Sequence, residues 1–389
     1  YAPALADAHL AAVRIEDGLG NYPAARRAAE DAIAAAEVGR DDAAAARGFV
    51  ELVWLLGERQ RLYEEAHRAA RFAEAKLTRL GQPAALLPPY HRALGSLLYR
   101  QARYDASAAE TRKAIALLEA EGGSPHLLAS LVSDLANADL ERGRYEEARA
   151  HNERALALRI AAYGPDHPEV AIVLNNQGIV YKRLGQTEKA MAAYERALSI
   201  RERALGPEHP HTAAALFNLG ELLTEQGRPA EALIFEGRAR AIYEKALGPD
   251  HPDMGEILSG LAAAHRAAGR RAEAMALYRQ AIALEERGLG ADHPALATPK
   301  VGLGCTLVAG GEAAVALPLL ERGVALAEAS GESATALAEA RLCLARALCE
   351  AGGDCARGRA LAAEASAALG RPPPTLAPKA GGRVTSPGP

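Results

Sequence analysis

A five-residue segment returns at a fixed interval along this chain, and that interval confines the fold to a repeat architecture. Gly164-Pro165-Asp166-His167-Pro168, Gly206-Pro207-Glu208-His209-Pro210, Gly248-Pro249-Asp250-His251-Pro252 and Gly290-Ala291-Asp292-His293-Pro294 lie 42 residues apart. Gly122-Gly123-Ser124-Pro125-His126 is a worn copy 42 residues before the first, and Tyr22, Tyr63, Tyr104 and Tyr145 step by 41. A repeat of this length is one supersecondary unit that cannot bury its apolar face alone and does so by stacking on its neighbours.

Each segment punctuates two helices. Glycine suits a left-handed residue that ends a helix, and the proline after it cannot continue one. The second proline fits the first turn of the next helix, where its missing N–H costs nothing. Within one unit the pattern predicts a first helix over 169–184 and a second over 187–204, broken at Gly185-Gln186. Ala171, Leu174, Gly178 and Tyr181 form one stripe and Ala190, Tyr194, Ala197 and Leu198 another, at helical spacing. The two stripes are expected to face each other. Small residues recur at the close approach: Gly220 with Ala232, Ala262 with Ala274, and Gly304 with Ala316.

This arrangement resembles the tetratricopeptide repeat, in the longer form of kinesin light chains and many bacterial proteins. The resemblance runs over about residues 4–370 and is strongest from 129 to 325. It weakens where Trp54 takes a small-residue slot, where Glu16 takes an aromatic one and where Gly358 replaces alanine. It implies an all-α class: a right-handed α-α superhelix, or solenoid, of about nine hairpins over 1–370, with a degenerate cap at 334–370. The Pro- and Gly-rich tail, 371–389, is expected to be disordered.

The resemblance also implies a protein-interaction scaffold that binds a peptide or partner domain along a concave wall of first helices. There the unpacked stripe is Ile172, Asn175, Asn176, Ile179, Lys182 and Arg183, continued by Asp134, Asn137 and Glu141 before it and by Phe217, Asn218, Glu221, Thr224 and Glu225 after it. Asparagine is a mediocre helix former whose amide both donates and accepts towards a peptide backbone. The alternative is that these amides brace neighbouring hairpins. The expected peptide-binding residues are Asn137, Asn175, Asn176, Ile179, Lys182, Arg183, Asn218, Glu221 and Glu225. The carboxylate clamp of some family members is missing: Ser133, Ala214 and Asn218 stand where its basic residues belong.

Composition narrows the partners. Net charge is −4, which gives no overall field to attract nucleic acid or anionic lipid. No apolar run is long enough to span a bilayer and no signal peptide is visible, so a cytoplasmic location is expected. Arginine far outnumbers lysine, a bias associated with bacterial GC-rich genomes. The cysteines at 305, 343, 349 and 355 match no zinc spacing and read as buried or incidental thiols. The linker histidines stand too far apart in a stack to share a metal and read as linker or capping residues. Gly302-Leu303-Gly304 lies inside a helix, without the strand that a phosphate loop needs. Trp54, Tyr63 and Phe72 read as core of an early hairpin.

No catalytic grouping, cofactor site or metal site is expected. An alternative reading makes the array the regulatory or substrate-docking tail of a bacterial serine/threonine protein kinase whose catalytic domain precedes Tyr1. Self-association is a third, because Leu342, Leu344 and Leu348 have no following repeat to cover them.

Overall fold

The computed structural model describes residues 2–251, 254–330 and 334–377. The chain forms two compact units, Tyr1–Ile200 and Arg201–Pro389. The first contains α1 (Ala2–Gly18), α2 (Tyr22–Gly39), α3 (Asp42–Trp54), α4 (Tyr63–Arg79), α5 (Leu87–Arg100), α6 (Tyr104–Ala120), α7 (Pro125–Glu141), α8 (Tyr145–Tyr163), α9 (Pro168–Arg183) and most of α10 (Thr187–Leu205). The second continues with α11 (Pro210–Glu225), α12 (Pro229–Leu247), α13 (Met254–Ala267), α14 (Arg271–Leu289), α15 (Ala297–Ala309), α16 (Ala313–Ser330), α17 (Ala334–Glu350) and α18 (Cys355–Ala368). The described residues contain no strand. The fold is the expected all-α solenoid, with nine helical hairpins among the described residues, and the worked unit begins and ends within one residue of its predicted bounds.

One position explains how each hairpin closes. Ala25, Ala66, Ala148, Ala190, Ala232, Ala274 and Ala316, spaced 41, 42 or twice 41 residues apart, are all fully buried. Ser107 fills the same slot and gives its hydroxyl to the Gly95 carbonyl at 2.8 Å. Gly358 ends the series because the chain is tighter there: a Cβ would come within 2.8 Å of the Ala345 carbonyl oxygen. Gly178 faces Tyr194 and Gly304 faces Leu320 so closely that an added methyl would overlap the larger side chain. Within each unit successive first helices touch, and each second helix packs on the first helices beside it.

The linkers hold two further findings. Gly164, Gly248 and Gly290 have φ of 84°, 86° and 91° with ψ near 160°, an extended mirror region open essentially to glycine. The expected left-handed helical cap is therefore not what ends these helices. The following histidine caps the next helix: Nδ1 of His167, His209 and His293 accepts from the backbone N–H of Glu169, His211 and Ala295, each at 3.2 Å. Pro168, Pro210 and Pro294 occupy the first turn, as expected.

Several local readings need correction. The cysteines are not unpaired thiols: Cys305 bridges Cys343 from α15 to α17, and Cys349 bridges Cys355 across the last turn. Phe72 is not core but 59% exposed, stacked on Phe49 with ring centroids 5.3 Å apart. Trp54 is half-buried, with the guanidinium groups of Arg59 and Arg92 over its ring, where α3 runs on into a π turn at Leu55–Arg59. Leu344 and Leu348 are buried in one cluster against which Leu361 of α18 packs, so the last hairpin covers them itself. No described helix is long and apolar enough to cross a membrane. Of the tail, 371–377 has no regular secondary structure and 378–389 lies outside the described residues.

His209→Ala is expected to lower stability by about 1 kcal/mol, while His209→Asn retains most of it, because asparagine is a good cap. The midpoint of urea denaturation, followed by circular dichroism, measures the difference.

Candidate peptide-binding surface

In the first unit the exposed face of the first helices is laced to itself. Arg59 pairs with Asp17 at 2.8 Å, Arg100 with Glu58 at 2.9 Å, and Arg92 with Asp134 at 3.1 Å. Each pair is 42 residues apart, so the repeat brings one partner under the other. The Tyr99 hydroxyl reaches Glu141 at 3.3 Å, and burial together with that carboxylate raises its pKa. The ladder ends on two of the expected binding residues: Asn176 Nδ2 donates to Asn137 Oδ1 at 3.2 Å. That bond braces α7 against α9 and still leaves each amide unused donor or acceptor capacity. Asn175, Ile179 and Lys182 are half-buried on α9, and Arg183 is exposed beside them.

In the second unit the corresponding face opens into a cavity of about 390 Å³. Phe217, Glu221, Thr224 and Glu225 line it from α11; Glu256, Ser259, Gly260 and Ala263 from α13; Thr298 and Pro299 from α15, with Ala295 just before. Glu236 of α12 and Glu285 of α14 complete the lining. Thus Glu221 and Glu225, singled out from the sequence, lie in one cavity, whereas Asn218, half-buried on α11, does not line it. Five of the lining side chains are carboxylates and none is basic.

Glu236 is the residue that the helical stripe did not reveal. It is fully buried, and neither carboxylate oxygen has a hydrogen-bond partner. It reaches the cavity past Gly220, where an added methyl would overlap its side chain. Glu285 reaches it past Gly255 in the same way, 3% exposed and with Oε2 unpartnered. The signal was available in the repeat, because Glu236 stands 42 residues after Tyr194 and 42 before Tyr278.

Sequence comparison identifies the family. The tetratricopeptide repeat model matches residues 127–203, 192–245, 237–287 and 253–329, more than half of the chain. The chain belongs to the tetratricopeptide repeat family. No curated protein matches it. This tetratricopeptide repeat chain is 26% identical to the nearly identical TPR-like repeats of a protein assigned as a Podosopora anserina kinesin light chain, over 54% of this chain and 99% of that one, TM-score 0.43. Apo RapI shares the fold at 13% identity over 94% and 98% of the two chains, TM-score 0.63. The Rap conjugation gene regulator of plasmid pLS20, solved in complex with the Phr* peptide, shares it at 17% identity over 74% and 76%, TM-score 0.57.

Burial, and secondarily the nearby Glu221 charge, pushes Glu236 up to about 8; burial and then Glu256 push Glu285 up to about 7. The ordinary value is 4.5, so the folded protein retains protons that the unfolded chain releases. The resulting stabilisation is complete below about pH 4.5 and is lost as pH rises through 7 and 8. Stability is therefore expected to fall by roughly 5–7 kcal/mol between pH 5 and pH 8.5. Glu236→Gln should remove the larger part of this slope, as measured by urea melts across that range.

Proposed function

We propose that this tetratricopeptide repeat array is a scaffold that holds a peptide or an extended segment of a partner protein along its first helices. The observation that carries the reading is the cavity between α11, α13 and α15, which collects side chains from three consecutive first helices in one place. A repeat whose second helices are occupied with packing presents its first-helix stripe as recognition surface. The fold-level likeness to a Rap regulator solved with a bound peptide supports the same class of ligand.

Each unit contributes contact residues of its own. In the first they are Asn137, Asn175, Asn176, Ile179, Lys182 and Arg183, whose amides suit an extended backbone and whose basic ends suit acidic ligand side chains. In the second they are Asn218, Glu221 and Glu225, and the charge of the last two favours basic ligand side chains. The mixed signs argue against a ligand that is acidic throughout.

Panning a random-peptide display library against the full chain tests the reading. Enrichment of a defined peptide set is expected. Capture of that set should weaken at least tenfold in Asn175→Ala or Asn218→Ala protein with an unchanged circular dichroism spectrum. Failure to enrich any sequence, or undiminished capture by both variants, would count decisively against it.

A further inference from the structure

Glu236 presents a physical problem. Burying a carboxylate without a hydrogen-bond partner costs free energy, and native interiors leave few such groups. Here both oxygens of Glu236, one oxygen of Glu285 and Oγ1 of Thr224 are buried, unpartnered and part of the lining of a single cavity. An aromatic ring at position 236 would avoid the cost, and the repeat places one at the equivalent positions, Tyr194 and Tyr278. Both are buried.

The lining says what would satisfy these groups. It needs hydrogen-bond donors and positive charge, and no lysine, arginine or histidine lines the cavity to supply them. The described residues contain no cluster of three or more histidine, cysteine, aspartate or glutamate side chains arranged to hold a metal. An organic cation remains. The buried Phe217 ring forms part of the wall, fitted against Gly260 so closely that a Cβ there would come within 2.5 Å of it. A planar cation stacks on such a face, and a guanidinium can pair in bidentate fashion with a carboxylate while other N–H groups reach a second acceptor.

We propose that this cavity is a specificity pocket for an arginine side chain of the bound peptide, with Glu236 and Glu285 as its anionic floor and Phe217 as its stacking wall. The proposal rests on the peptide-holding function above and assigns that ligand its chemistry. Small residues are part of the device: Gly220 and Gly255 let the two glutamates pass the first helices. Arginine capture requires the carboxylates to ionise, so binding releases protons and strengthens as pH rises. The groups facing Glu236 are Glu221 and Glu225 on α11, Glu256 on α13, and Glu285 and Tyr278 on α14. Arg266 is held at the Tyr278 hydroxyl.

Positional-scanning arrays of octapeptides, with one position fixed and the others randomised, test this on the full chain. Arginine at the fixed position is compared with citrulline, its neutral isostere. Arginine is expected to exceed citrulline at least tenfold at one position, and more at pH 8 than at pH 6. Glu236→Gln should reduce that preference about tenfold. Glu236→Tyr, which restores the ring of the neighbouring repeats over a glycine already present, should fold normally and abolish it. Peptides bound without preference for arginine over citrulline, or with a preference unchanged in both variants, would overturn the pocket and leave the peptide-holding function standing. Absence of binding to any peptide would overturn both.

Discussion

The structure depends on the close approach of the two helices within a hairpin, where a small residue meets a larger side chain, as Gly178 meets Tyr194, Gly220 meets Glu236 and Gly304 meets Leu320. Interiors are packed to the density of organic crystals, so a single methyl at Gly178 or Gly304 has no room to enter. The fully buried alanines from Ala25 to Ala316 set the same close approach from the second helix. Once that spacing is fixed, each hairpin presents its neighbour with the same apolar surface, and stacking buries it repeatedly. The pairs 42 residues apart on the first helices of the first unit follow from this regularity rather than produce it. They are partly solvated, and such pairs contribute little individually.

The same constraint explains how one substitution can make a site. Ala232 and Gly220 hold α11 and α12 at the distance suited to a tyrosine, yet position 236 carries the shorter glutamate. A core whose backbone is fixed on both sides relaxes only partly around a smaller side chain, so volume is left. At this position the volume is lined by carboxylates rather than sealed by apolar groups. Glu285, where the preceding repeat has Tyr243, extends the departure into the next hairpin. Arg201, at the slot 84 residues before Glu285, gives a hydrogen bond to the His211 carbonyl at 2.7 Å.

The fold was legible because its signals repeat. Glycine, histidine and proline at a constant interval mark the boundaries from Gly164 to Pro294, and periodic small residues mark the helix pairs between them, so errors in one unit are corrected by the next. What was not legible is non-repeating or non-local. The Cys305–Cys343 bridge joins first helices 38 residues apart, a separation without meaning until the hairpins are stacked. The π turn after Trp54 and the exposed Phe72 belong to one hairpin only. Of the candidate site, Glu221 and Glu225 were found because they share the outward stripe of α11. Glu236 was missed because position 236 belongs to the packing face, where a helical-wheel reading expects no chemistry. The Asn137–Asn176 bond shows the converse: residues chosen as ligand contacts also serve the stack.

Recognition in a repeat protein must come from what breaks the repeat, because whatever recurs in each unit is required by packing. Local rules fail most informatively where a fold has given up stability for another purpose. In the first unit the outward groups satisfy one another across the first helices, and the face is stable without help. In the second, a position that contributes a buried ring in the two adjacent repeats, Tyr194 and Tyr278, contributes a buried acid, and the folded chain bears that cost in every molecule. A partner that brings charge and donors relieves the cost only when it binds, and a neutral isostere of the same shape cannot do so. Discrimination is then large for a modest contact area, since the wrong ligand leaves the acid unpaired.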